Sequence, residues 1–136
     1  MEPPIGWVNV EGIKTAVEVF AGYLMLDAWI ANQDRHHENW GLVIVFESEK
    51  PKIHLAPTFD HASSLGRNET DKNRQERLTT KDEGRNIKHY VSRARSAFYL
   101  APSHNKVMLT LDVFQRAAKK WPHAVTCPRY EGRLEC

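Results

Sequence analysis

Between Asn32 and Asn39 the chain reads NQDRHHEN, and a further aspartate, Asp60, closes the later stretch LAPTFD. Two chemistries use such groups. Phosphoryl transfer needs a carboxylate that orients an acceptor hydroxyl, and metal ions that hold the phosphates. Asp34 suits the first task. The side-chain oxygens of Asn39 and Asp60 suit the second, because Mg²⁺ takes hard oxygen ligands. The other chemistry is metal-dependent hydrolysis, with His36, His37, His54, Asp60 and His61 as candidate transition-metal ligands. Against it, adjacent histidines point in different directions on most backbones, and the sequence has no H-x-x-x-H helix pair. A purely structural role also exists for Asp34 and Asn39, as helix caps or Asx turns.

These groups need elements to hold them. Val17, Phe20, Leu24, Ala28 and Ala31 recur at three- and four-residue spacing, which predicts a helix from Thr15 to about Ala31. Tyr23, Leu26, Trp29 and Ile30 make its other sides apolar, so the helix reads as buried. After the polar loop, WGLVIVF (40–46) reads as a strand and ESEKPK as a charged turn. IHLAPTF (53–59) reads as a second strand, with Pro57 near its end. The two make a β-hairpin with Asn39 and Asp60 at its two ends. Trp29 and Trp40 are expected in the core, and Gly66 in a turn that needs positive φ. Residues 67–95 hold nine Arg and Lys against five Asp and Glu. That stretch reads as a solvated helix plus loop, and functionally as a surface for phosphate or an acidic partner. Leu111, Phe114, Ala117, Ala118 and Trp121 predict an amphipathic helix over about 110–121, with Thr110 as its N-cap and Pro122 after its end. The expected fold class is mainly α, of α+β type: helical, with one short hairpin carrying the metal-binding residues.

Bulk properties narrow the field. A chain of 136 residues with 41% hydrophobic content suits one globular domain. The net charge of +2 is too weak to imply nucleic acid, which is not expected as a partner. Cys127 and Cys136 do not make a disulfide framework, so free thiols in a reducing compartment are expected. The N-terminal stretch has no basic n-region or apolar h-region, and the longest apolar run, VFAGYLML, is too short to cross a bilayer. The protein is read as cytoplasmic, without a membrane partner.

Asp34 and Asn39 stand at the D-x-x-x-x-N spacing of protein-kinase catalytic loops. More specifically, NQDRHHENWGLV followed by IHLAPTFDHASSLG resembles the catalytic core of the HipA-like kinases, a bacterial serine/threonine kinase family with a D-x-H-x-x-N loop and a LAP-x-[FY]-D segment. DRHHEN is also similar to the D-R-H-x-x-N loop of phosphoinositide 3-kinase-like enzymes, which share the broad fold. The resemblance covers residues 15–66 and thins through ARSAFY, 94–99. It implies a protein-kinase-like C-lobe over 15–125, between an irregular lead-in, 1–14, and a tail, 126–136. It implies phosphoryl transfer to a protein Ser/Thr hydroxyl with Mg²⁺ and ATP as cofactors. In that scheme Asp34 is the catalytic base, His36 the loop histidine beside it, and Asn39 and Asp60 the metal ligands. The implied partners are ATP, a protein substrate, and an N-lobe or antitoxin-like protein. The family's N-lobe would carry a Gly-rich loop and a strand lysine. Ahead of the first predicted helix the sequence offers Lys14 and no Gly-rich loop. The chain is therefore expected to be a C-lobe that needs an N-lobe from elsewhere and is inactive alone. The expectation from a different class is a catalytically inactive lobe that binds a partner through the basic 67–95 region.

Overall fold

Thr15 starts the first helix with a reciprocal cap. Its backbone N–H donates to Glu18 Oε2 at 2.8 Å, and its hydroxyl accepts from the Glu18 N–H at 3.2 Å. Two of the donors that a helix start leaves unpaired are thereby satisfied. The helix, α1 (Ala16–Ile30), ends where Ala31 turns left-handed, with φ 52°. The N–H groups of Ala31 and Asn32 both donate to the Asp27 carbonyl, which closes the helix end and throws the chain sideways into the polar loop.

The structure is a computed structural model that describes residues 15–46 and 51–126. The lead-in, 1–14, and all but the first residue of the expected tail lie outside the described residues. After α1 come β1 (Leu42–Val45), β2 (Lys52–Leu55), α2 (Asp71–Thr79), α3 (Ile87–Ser92), β3 (Arg95–Tyr99), β4 (Val107–Leu109) and α4 (Thr110–Lys120). A short 3₁₀ turn at Pro122–Ala124 follows. Among the described residues the architecture is α+β: four helices and two small antiparallel hairpins. α1 packs against α4 through buried Leu24, Val113 and Ala117, with Phe20, Phe98, Met108, Phe114 and Trp121 around them. Among the described residues no helix is long and apolar enough to cross a membrane.

β1 and β2 pair from Leu42 opposite Leu55 to Val45 opposite Lys52. Both are shorter than the sequence predicts. The Ala56 N–H still donates to the Gly41 carbonyl at 2.9 Å, but Pro57 has no N–H with which to continue the ladder. The second hairpin, β3–β4, is not anticipated by the sequence reading. β4 has three residues, too few to show a period, and the pairing shifts register between Arg95 and Tyr99. There Ser96 Oγ donates to the Met108 carbonyl at 2.8 Å and accepts from the Phe98 N–H at 3.1 Å, so a side chain stands in for ladder bonds.

Four further expectations are corrected. α1 is not buried all round: Val17, Met25 and Trp29 face outward, and Trp40 is also exposed rather than core. Thr110 is the first residue of α4 and not its cap. Leu109 holds the cap position without a side-chain bond, while Thr110 donates its N–H to the Ala94 carbonyl at 2.9 Å. The stretch 67–95 contains two helices, not one, each begun by a side-chain cap, Thr70 and Asn86. Gly66 does take the left-handed conformation, with φ 67°.

Candidate functional site

A lone carboxylate, Asp27, interrupts the apolar run of α1 and is buried. A buried charge requires a partner. The partner is Arg35, eight residues on in the loop, whose side chain is 1% exposed. Arg35 Nε donates to Asp27 Oδ2 at 2.9 Å and Nη2 to Asp27 Oδ1 at 2.8 Å, a bidentate fork. Asn32 Nδ2 donates to Asp27 Oδ1 at 2.8 Å, and Asn32 Oδ1 accepts from the Asp34 N–H at 3.3 Å. Asp27 thus holds the loop at two points, and the second positions the Asp34 backbone.

The remaining arm of Arg35 reaches two segments. Nη1 donates to the Asn39 carbonyl at 2.7 Å and lies 3.5 Å from the Phe59 carbonyl. The residue carrying the loop amide and the residue preceding Asp60 therefore hang on one guanidinium nitrogen. Tyr23 reinforces the arrangement. Its ring lies under the guanidinium, 5.5 Å from centroid to carbon, and its hydroxyl donates to the Ala56 carbonyl, just past β2 on the way to Asp60. Burial raises the Tyr23 pKa above the usual phenol value, with the Arg35 charge opposing in part. Beyond Asp60 the chain is tied back to the end of α1 and to the loop after it. Gln33 N–H donates to the Ser63 carbonyl at 3.3 Å, and Leu65 N–H to the Ile30 carbonyl at 2.8 Å.

Around this frame stand the groups predicted to do chemistry. Asn39 is buried, and its Nδ2 donates to the Asp34 carbonyl at 2.7 Å. With the amide nitrogen committed, Oδ1 is the atom left to meet a cation. Asp34 and His36 are partly exposed and adjacent, with His36 Nε2 3.4 Å from Asp34 Oδ1. His36 Nδ1 accepts the Glu38 N–H at 3.2 Å. In the neutral ring the proton therefore sits on Nε2, toward Asp34. Asp60 is exposed and left-handed, with φ 50°, a conformation that aspartate tolerates better than most residues. Its Oδ1 accepts weakly from the Ala62 N–H at 3.4 Å. Asp34, His36 and Asn39 thus form one contiguous group, and Asp60 is joined to it through Phe59 and Arg35.

The hydrolase ligand set is not assembled in this way. His54 Nδ1 faces the Leu55 carbonyl at 2.8 Å, and His61 Nε2 bonds Thr58 Oγ1 at 2.9 Å. Among the described residues no three His, Cys, Asp or Glu side chains group around a common metal position.

The residues that sequence reasoning missed are the organisers: Asp27, Asn32, Arg35 and Tyr23. A signal for the first existed. An aspartate that interrupts the apolar stretch of a helix, one loop away from an arginine, asks for a buried ion pair. No protein-family model, curated protein or solved structure matches this chain.

Proposed function

We propose that residues 15–125 form the C-lobe of a HipA-like serine/threonine kinase, which transfers a phosphoryl group from Mg²⁺–ATP to a protein hydroxyl. One observation carries the reading. Asn39 and the Phe59-Asp60 segment, distant in sequence, are anchored by the same buried guanidinium of Arg35. A loop built only of local turns has no need of that bridge. The donor set fits the ion as well: an amide oxygen and a carboxylate are hard ligands, and two protein ligands suffice where phosphates complete the shell. Bound Mg²⁺ would neutralise charge on the phosphates, held by Asn39 Oδ1 and the Asp60 carboxylate. Asp34 orients the acceptor hydroxyl and takes its proton. His36, with Nε2–H toward Asp34, keeps that carboxylate aimed. The lobe covering the nucleotide, with its Gly-rich loop and strand lysine, comes from outside the described residues.

The test is transfer from radiolabelled ATP, with the chain alone and with the product of a neighbouring reading frame that encodes such a lobe. Transfer is expected only with the added lobe. It should fall about 10²–10⁴-fold in Asp34→Asn and be lost in Asp60→Asn. Turnover by the chain alone, insensitive to both substitutions, would overturn the reading.

A second reading is a catalytically inactive lobe that binds a partner. It is favoured by the outward side of β1 and the residue after it, where Leu42, Ile44 and Phe46 alternate into solvent. An apolar strip of that kind marks an interaction surface. A folded chain without turnover in either assay would leave this reading standing.

A further inference from the structure

Along the N-terminal half of α1 runs an open groove of about 470 Å³. Its walls include Val17 and Phe20 of the helix, Trp40 before the first hairpin, Leu42 and Leu55 within it, and Trp121 after α4. The lining is apolar throughout. Phe20 stands edge-on to Trp40, with 5.4 Å between ring centroids. Trp40 and Leu42 are 39% and 60% exposed. Leu42 lies opposite Leu55 in the ladder, so both side chains share one face of the hairpin.

A smaller apolar groove, of about 280 Å³, lies between the other end of α1 and helices α2 and α3, with Trp29, Leu65, Leu78 and Ile87 among its walls. Its charged lining residues, Glu69, Arg74 and Arg77, are paired with one another or with Asp71, so they select no occupant. The larger groove differs in how the chain enters it. Thr15 leads into Ala16 and Val17, and both line the groove. Residues 1–14 therefore join the helix at the groove's own rim. They read MEPPIGWVNVEGIK, with Ile5, Trp7, Val8, Val10 and Ile13 as apolar side chains. Their reach is sufficient. The groove follows α1 from Ala16 to Leu24, about 12 Å at 1.5 Å per residue. Trp7, eight residues before Thr15, can lie up to about 26–29 Å from it.

Other occupants fit less well. The residues after Thr126 read CPRYEGRLEC and are close in sequence to Trp121, but two Arg and two Glu among them would meet a lining with no polar side chain. A separate molecule, whether a second copy or another protein, competes with a tether whose effective concentration is on the order of mM. We infer that the N-terminal segment folds back along α1 and covers this groove, with Trp7 and Val10 packed against Trp40 and Leu42. Trp40 directly follows Asn39, so this strap also steadies the end of the polar loop. Ile44 and Phe46 lie outside the groove lining and stay open. The inference does not depend on the kinase reading.

The experiment is paramagnetic NMR on the full chain, carrying Cys127→Ser and Cys136→Ser, with a nitroxide attached through Glu11→Cys. Glu11 is polar and is not among the side chains assigned to the groove. The label should broaden the signals of Trp40, Leu42 and the Trp121 indole, and leave those of Trp29 and Leu78 sharp. Trp7→Ser combined with Val10→Ser should abolish the broadening at the hairpin and lower the urea midpoint. Leu42→Gln, at an exposed position on the groove side, should also abolish the broadening at Trp40 and guards against a fault peculiar to the first variant. Asp34→Asn should leave the broadening unchanged, which separates this outcome from that of the kinase assay. Mixing nitroxide-bearing chains with isotope-enriched chains that lack the label tests for contact between copies. Four results would each overturn the inference: no broadening at Trp40 and Leu42, broadening there that survives Trp7→Ser with Val10→Ser, equal broadening at Trp29 and Leu78, or broadening that passes between copies in the mixture.

Discussion

The loop after α1 and the α2–α3 segment are both rich in charge, and they use it in opposite ways. In the loop, Arg35 and Asp27 are buried, and the fork and the third arm of the guanidinium are matched by acceptors. In α2–α3, the Arg74–Asp71 and Arg85–Glu76 pairs lie on the surface and no residue of either helix is buried. Surface pairs contribute about 0–1 kcal/mol each. A buried pair can cost more in desolvation than it returns, yet removing one partner is severe. The difference teaches what each region is built for. The loop gives up the stability of an apolar core in exchange for fixed positions. The α2–α3 segment leaves its apolar side open and adds little to the fold.

The strongest way to break this comparison is Arg35→Ala. It leaves the Asp27 carboxylate buried without its counter-charge and takes the donor from the Asn39 carbonyl. The expected loss is about 3–5 kcal/mol, read as a fall in the urea midpoint. That is a large share of the roughly 5–15 kcal/mol a domain has. Arg35→Lys should recover only part, because an ammonium cannot make the fork. A loss below about 1 kcal/mol would mean that the clamp does not organise the loop.

Tyr23 gives the next effect and a pH signature. Tyr23→Phe removes the hydroxyl that donates to the Ala56 carbonyl, with an expected cost of about 1–3 kcal/mol. Burial holds the folded-state pKa of this phenol above its unfolded value. Its contribution is therefore fully present below about pH 10. It is lost as pH rises from there through the folded pKa, because the unfolded chain releases the proton first. Stability profiles from urea melts should fall more steeply above about pH 10 in the parent than in Tyr23→Phe. Parallel alkaline limbs would detach Tyr23 from the clamp.

How much of this was legible in the sequence follows the same division. α1, the first hairpin and α4 show because their apolar residues repeat at a helical or strand period. The candidate groups Asp34, His36 and Asn39 show because their types are unusual and their spacing is fixed. Arg35 does not stand out, since a loop arginine reads as solvent-facing until a buried acid is placed beside it. β3–β4 escapes because a three-residue strand and a register shift carry no period. Trp29 is misread for a different reason. An apolar residue on a helix states that something covers it, and says nothing of whether the cover belongs to the same chain.

Leu65 sits on the boundary between the two regions and sharpens the comparison. Its backbone is left-handed, with φ 52°, and its N–H bonds the Ile30 carbonyl, yet its side chain lies in solvent at the groove beside α2 and α3. A non-glycine residue pays about 1–2 kcal/mol in that conformation, part of which glycine returns as unfolded-state entropy. Leu65→Gly should therefore raise stability by about 0.5–1 kcal/mol, read as a rise in the urea midpoint. Measured melts that fall instead would show the leucine already packed in the free chain.

The smallest effect is expected at Leu78, and it discriminates most sharply. Leu78 is apolar and helical, and by residue type alone it belongs to a core, where truncation costs about 2–5 kcal/mol. It is exposed, and α2 buries nothing. Leu78→Gln keeps helix propensity nearly constant, so only packing is tested. Stability should change by no more than about 0.5 kcal/mol, against several for Arg35→Ala in the same urea series. A loss above about 1 kcal/mol would mean that α2 already closes a core of its own. The contrast between a region built for fixed positions and a region that leaves its apolar side open would then fail at this residue.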